Sequence, residues 1–429
     1  MKRALIENGF IIDPANNIED YFNILIENGI IVELFKNKGR VTLEGDLEII
    51  DAKDRIVIPG MVDLHAHLRE PGFEYKETIA TGTMSAAAGG FTSVACMANT
   101  NPVNDSASVS DFIIKKAVQE GYINVYPVGA ATKNLEGKLL APFGELKRAG
   151  VVAVSDDGSP IMDSNLMRRA LEYAKTFDLL LISHCEDLRL SLSGVMNEGY
   201  VSTTLGLRGI PNEAEDIMVA RDLLLSRLTG GRLHIAHVST EGAVNLIREA
   251  KSRGLNVTAE VAPHHFSLTH EDVADFNTNA KVKPPLRGKR DVEAIKEGLA
   301  DGTIDAIATD HAPHASHEKD VEFEDASFGL VGFETALPLS LGLYYSGALT
   351  LAQVIKKLTF SPASILNIDK GTLSPGKDAD ITIVDVNKKN IIDVNRFFSK
   401  GKNTPFDGMA LKGKAVLTLV RGRRVFSES

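Results

Sequence analysis

At 429 residues, 44% of them hydrophobic, the chain is long enough for two domains or for one large α/β barrel with an addition. A formal net charge of −10 argues against a nucleic-acid partner, and no run approaches the ~20 apolar residues of a membrane helix, so neither is expected. Cys96 and Cys185 lie in apolar strand-like runs and read as reduced core thiols of a cytoplasmic protein, and Glu7 and Asn8 interrupt any apolar stretch that could serve as a signal peptide.

Residues 1–55 read as short strands: Ala4–Ile6, Phe10–Ile12, Asn23–Ile26 and Ile30–Leu34. The Asn8-Gly9 and Asn28-Gly29 pairs between them are hairpin signals. From residue 56 strands alternate with helices. The strand candidates are Arg55–Leu64, Phe91–Met97, Ile123–Val128, Val151–Val154, Leu179–Ile182, Arg232–Ala236, Asn256–Val261 and Ile304–Ala308. Amphipathic segments such as Asn165–Phe177, Ala214–Leu228, Glu241–Arg253 and Arg290–Ala300 separate them. Strand–helix alternation predicts a parallel sheet, and eight units predict a closed (β/α)8 TIM barrel with its active site at the C-terminal strand ends. After Leu351–Leu358 and Ala363–Leu366, a turn-rich break at Gly371–Asp380 leads to strand-like Ile381–Val384, Lys414–Leu419 and Arg424–Phe426. The expected organisation is a barrel over 56–371, flanked by a small β-sandwich built from 1–55 and 372–429.

Chemistry-bearing residues gather at the strand ends. His65 and His67 close the first strand; being two apart, they share a face and suit one divalent ion. Asp157, His184, His237 and Asp310 follow strands four, five, six and eight. In a barrel these ends face one mouth, so together they read as a metal centre. His234, three residues before His237, is expected on the opposite face, against the helices. Cys185 is expected to face the core, His270 and His317 the surface, and His264 and His265 to pack beside the site without ligating.

The segments Asp63-Leu64-His65-Ala66-His67-Leu68-Arg69-Glu70-Pro71-Gly72, Met97-Ala98-Asn99-Thr100-Asn101-Pro102, Ser155-Asp156-Asp157-Gly158 and Thr309-Asp310-His311-Ala312-Pro313-His314 together resemble the dihydroorotase family. The resemblance is to its type I branch, within the amidohydrolase superfamily, and covers essentially the whole chain. It implies zinc-dependent, reversible cyclisation of N-carbamoyl-L-aspartate to L-dihydroorotate in pyrimidine synthesis. One or two Zn2+ ions are implied, in a binuclear site. His65, His67 and Asp310 would bind the first, His184 and His237 the second, with Asp157 bridging and Asp156 as the alternative. Asp310 would also be the general acid and base. His67, Arg69, Asn99, Lys283, His314, Phe328 and Gly329 would contact substrate. Lys283 departs from the family pattern, which has Asn before Pro284-Pro285. The resemblance also allows for a homodimer and for association with aspartate transcarbamoylase. The competing readings are a hydantoinase- or allantoinase-like enzyme, disfavoured because no lysine follows strand four, and a non-catalytic scaffold subunit, disfavoured because every matched ligand is retained.

Overall fold

A computed structural model describes residues 3–36 and 47–428. Residues 1–2, 37–46 and 429 of the expected terminal unit lie outside the described residues. Both ends of the chain build one eight-stranded sheet. Its central strand, Arg3–Asp13, is a single element paired with Ile18–Glu27 and bulged between Ile6 and Gly9. The expected Asn8-Gly9 hairpin is therefore a bulge. A Cβ at Gly9 would meet Val57 Cγ2 at 2.5 Å, so the glycine serves a close strand approach rather than a reversal. Asn28-Gly29 does turn the chain, with both residues at positive φ, between Ile18–Glu27 and Ile30–Phe35. Ile6, Ile11, Ile24, Ile31, Ile381, Ile383 and Leu419 fill the core of this unit.

The expected first barrel strand divides at Gly60. Ile56–Pro59 joins the terminal sheet, pairing with Ile381–Val384, while Met61–Ala66 belongs to the barrel. A Cβ at Gly60 would lie 2.1 Å from Thr92 Oγ1, so only glycine lets the chain cross between the two sheets there.

Eight parallel strands follow in chain order: Met61–Ala66, Phe91–Cys96, Asn124–Ala130, Ala153–Ser155, Leu180–Ser183, Leu233–Ile235, Val257–Val261 and Ala306–Ile307. Helices return the chain outside them. Caps fix their starts where the sequence supplies them: Asp163 accepts from Leu166 N and Thr240 from Ala243 N. The last strand meets the first through His67 N–H to His311 C=O (2.8 Å) and Asp310 N–H to His65 C=O (3.0 Å). Buried Asp63 strengthens this seam, accepting from the backbone N–H of Thr309 at 3.0 Å and its hydroxyl at 2.5 Å.

The lumen below the mouth is packed with Leu64, Ala95, Met97, Val128, Leu180, Ile182, Ala236 and Ala308. That apolar layer puts the polar strand ends on a dry floor with one open side.

Candidate metal centre

Two breaks in strand regularity aim the histidines. Leu64 lies in the lumen layer and Ala66 in the outer layer, so alternation fails between them, where the register to the next strand also shifts. The irregularity turns His65 inward beside Leu64, and His67 shares its side. On strand six, Ala236 faces the lumen and so does His237, because His237 takes φ +33°. Arg69 (φ +63°) and Asp310 (φ +47°) share this left-handed region. Each such residue stores roughly 1–2 kcal/mol that the surrounding packing must hold.

The expected ligands converge. Asp157 Oδ1 lies 3.4 Å from His65 Nε2, 3.6 Å from His184 Nδ1 and 3.6 Å from His237 Nε2; its Oδ2 lies 3.6 Å from His67 Nε2. Asp310 Oδ1 is 3.2 Å from His67 Nε2 and 3.7 Å from His65 Nε2. The donor atoms of His65, His67 and Asp310 lie within 4.8 Å of one another, as do those of His65, Asp157 and His237. His184 Nδ1 joins the second set, 2.8 Å from His237 Nε2. Asp157 thus spans both sets. Asp156 instead accepts from the backbone N–H of Ile161 and of His184, so it braces the loop.

Outer partners fix the tautomers. His65 Nδ1 donates to Glu260 (2.7 Å), His67 Nδ1 to Asn99 Oδ1 (2.8 Å) and His184 Nε2 to Glu186 (3.1 Å). Each bond turns the other ring nitrogen to the aspartates, with His67 Nε2 3.2 Å from Asp310 Oδ1 and His184 Nδ1 between Asp157 and His237. His65 Nε2 is buried without a hydrogen-bond partner, as is His237 Nδ1. A bare, buried imidazole nitrogen between two carboxylates suits a divalent ion, so this donor set fits a metal centre.

The electrostatics agree. Burial alone would raise Asp310, but the imidazoles of His67, His65 and His237 around it hold it well below the carboxylate range. The same competition, led by burial and overcome by His65, depresses Asp157. Glu260 falls to about 2 because His65 and His234 outweigh its burial.

Beside the cluster lies a cationic clamp. Half-buried Arg69 donates through Nε to Pro313 C=O (3.2 Å). Its Nη2 lies 3.4 Å from His314 Nε2. That nitrogen itself carries a proton, which it gives to Phe328 C=O at 2.9 Å. The terminal fork of Arg69 therefore keeps donors free for a ligand acid. Asn99 spends its Oδ1 on His67, which leaves its amide N–H2, beside Gly158, to donate to a ligand. Burial, with the charges of Arg69 and Lys76, pushes His314 down to about 3, so it is neutral.

Other expected contacts look different in place. Both backbone groups of Gly329 are engaged: its N–H donates to Lys281 C=O, and its C=O accepts from Lys319 Nζ and Asn403 Nδ2. Lys283 turns its ammonium onto Glu186 at 2.9 Å.

His234 corrects the sequence reading. It faces the lumen, 2.7 Å from Thr258 Oγ1 and 3.3 Å from Glu260 Oε2. It lies three positions before His237, yet the left-handed His237 breaks the alternation on which the opposite-face expectation rested. Cys185 faces the outer layer against Asp222, as expected. His265 packs beside the site, bonded to Pro284 C=O. His317 is exposed, whereas His270 is half-buried beside Asn197. Sequence reasoning missed Glu260, Glu186 and Asn403. A glutamate inside the apolar run Val257–Val261 was the available signal for Glu260.

A parallel barrel with His-x-His at strand one, histidines after strands five and six and an aspartate after strand eight defines the amidohydrolase class of metal-dependent hydrolases. Residues 228–426 match the family described as "Amidohydrolase family", and residues 54–243 match "Dihydro-orotase-like". The dihydroorotase of Syntrophus aciditrophicus is 56% identical over 426 residues, covering 99% of this chain and 100% of that protein. That of Acetivibrio thermocellus is 57% identical over 425 residues, with 99% of each covered. In solved structures the fold matches the L-hydantoinase (dihydropyrimidinase) of Arthrobacter aurescens, with a TM-score of 0.90 at 26% identity over 100% of this chain and 96% of that one. The chain belongs to the dihydroorotase family.

Proposed function

We propose that the site interconverts L-dihydroorotate and N-carbamoyl-L-aspartate with zinc, as a step of pyrimidine synthesis. One juxtaposition carries the reading: a carboxylate-bridged histidine cluster beside an Arg69 fork and Asn99 amide free to take a substrate acid. His65, His67 and Asp310 would hold one ion and His184 and His237 a second, with Asp157 between them. A bound ion supplies Lewis-acid polarisation and lowers the pKa of water from near 16 toward ~7.

The chain's own groups do the rest. Arg69 and Asn99 receive the substrate carboxylate and set the ring against the cluster. His314 and Phe328 wall the opposite side. Asp310, ionised and on the mouth side, accepts the proton of the attacking water and returns it to the ring nitrogen as the amide bond breaks. In the cyclising direction the same carboxylate takes the ureido proton. The packed lumen below excludes bulk water from the floor.

Among the described residues no helix is long and apolar enough to cross a membrane; with the reduced cysteines, this supports a cytoplasmic enzyme. A homodimer and association with aspartate transcarbamoylase extend the reading. Light scattering of the purified chain, alone and mixed with that enzyme, tests both. The activity itself is tested by following ring opening of L-dihydroorotate by its ultraviolet absorbance, with hydantoin and allantoin in parallel. Chelator-sensitive turnover of dihydroorotate alone is expected; turnover of hydantoin or allantoin in its place, or of none of them by metal-loaded protein, refutes the reading.

A further inference from the structure

The ammonium of Lys283 sits where the family pattern has a shorter amide, and it does not hang free in the mouth. Its Nζ lies 2.9 Å from Glu186 Oε1, and the other oxygen of that carboxylate takes the Nε2 proton of His184 at 3.1 Å. Glu186 and His184 are nearly sealed from solvent, at 8% and 5% side-chain exposure, while Lys283 retains 29%. The ammonium also stands 5.1 Å over the ring of Phe328, on the opposite wall. Its backbone is anchored: buried Val282 packs on one side, and Pro284 C=O accepts from His265 on the other. A chain of charge therefore runs from the mouth to a ligand nitrogen: Lys283 to Glu186 to His184, whose Nδ1 lies 3.6 Å from Asp157 Oδ1 and 2.8 Å from His237 Nε2.

We propose that Lys283 is a positioning residue, which acts through Glu186 to fix the tautomer and orientation of His184 and so the retention of metal at that side of the site. A buried carboxylate stays charged and directed only if a compensating charge or donor faces its second oxygen. Among the described residues Glu186 Oε1 takes no hydrogen bond, and the Lys283 ammonium, an ion pair 2.9 Å away, is the charge that balances it. An asparagine at 283 would end two bonds short of the lysine nitrogen and bring no charge. The ammonium is thereby committed to the protein rather than to substrate. The inference rests on the proposed reaction only for the ring substrate used to read turnover.

The test uses the full-length, zinc-loaded protein and its Lys283→Met, Lys283→Asn, Glu186→Gln and Lys283→Met/Glu186→Gln variants. Zinc retention is measured against a competing chelating dye. Glu186→Gln is expected to weaken retention about 10- to 100-fold, the range for loss of a partner behind a metal ligand. Each lysine variant should weaken it in the same direction by a smaller factor, and Lys283→Met should add nothing once Glu186 is Gln. Turnover of the lysine variants should fall with occupancy and recover as free zinc is raised. Wild-type retention in Lys283→Met with a raised KM would make Lys283 a substrate contact and overturn the proposal. Independent losses that multiply in the double variant would also overturn it. Chelator competition needs no turnover, so failure of wild-type protein to open dihydroorotate would refute the proposed reaction and leave this test intact. Asn at 283 is the family's own residue, so that variant keeps the test readable should Met disturb folding.

Discussion

Glu260 offers the sharpest perturbation of the site. Its carboxylate is 1% exposed and divides between His65 Nδ1 (2.7 Å) and His234 Nε2 (3.3 Å). Glu260→Gln keeps an acceptor for the His65 proton but removes the charge. A charge-assisted bond of roughly 1.5–3 kcal/mol becomes a neutral one of about 1. His65 becomes a less basic ligand held less firmly, and metal affinity should fall about 10- to 100-fold, or roughly 1.4–2.8 kcal/mol. Glu260→Ala removes the acceptor itself and strands two buried imidazoles, at a cost of about 3–5 kcal/mol. The two variants should therefore separate: the glutamine folds and binds metal poorly, while the alanine loses global stability. Zinc retention against a chelator and the thermal midpoint, measured on the same samples, report the two losses. Wild-type zinc retention in Glu260→Gln, or a wild-type melting point in Glu260→Ala, would refute the assignment.

Asp310→Asn should lose turnover by more than about 100-fold while keeping most of its metal, because the proton acceptor is gone and His65, His67, Asp157, His184 and His237 remain; near-normal turnover of a metal-replete variant refutes the role. Arg69→Lys, which replaces a two-pronged donor by a point charge, should raise KM for dihydroorotate about 10- to 100-fold with a smaller change in kcat, read from steady-state kinetics. Asn403→Ala removes the acceptor for His314 N–H (2.9 Å) and the donor to Ala312 C=O (3.1 Å) and Gly329 C=O (3.0 Å); kcat/KM should fall about tenfold, and an unchanged value would detach Asn403 from the mouth. Burial lowers His264 to about 4, far under the ordinary value near 6.5, so it is neutral in the fold while the unfolded chain binds the proton first. Its share of stability is complete above pH ~6.5 and is lost at up to about 1.4 kcal/mol per pH unit as pH falls toward 4. His264→Asn should flatten the acid limb of a melting-temperature profile, and an unchanged slope would count against it.

Where periodicity is strong, the sequence reading and the structure coincide. Leu351–Leu358 is the helix expected from its pattern, and Glu241–Ser252 and Lys289–Asp301 fall within a residue or two of theirs. The strand ends also fall within a residue or two of where they are expected, so His65, His67, Asp157, His184, His237 and Asp310 are legible as strand-end residues in the sequence. Errors arose where one residue leaves its regular conformation. Asn8 at φ +64° makes a bulge that mimics a hairpin signal, and His237 at φ +33° misled the reading of His234. Alternation is a rule about regular backbone, and it gives no warning of where tertiary packing suspends it.

The sequence by itself determined the architecture and the ligand types, because hydrophobic period and residue chemistry are properties of short stretches. Tertiary structure alone decided which nitrogen of each histidine faces the aspartates, that Asp157 rather than Asp156 faces the cluster, that the Arg69 fork keeps donors for a ligand, and that Lys283 is tied to Glu186. Each of those depends on a partner brought from far along the chain, as Glu260 is to His65 across 195 residues. Such pairings are set by barrel closure and by the need to satisfy every buried polar group at once, which no local stretch of sequence encodes.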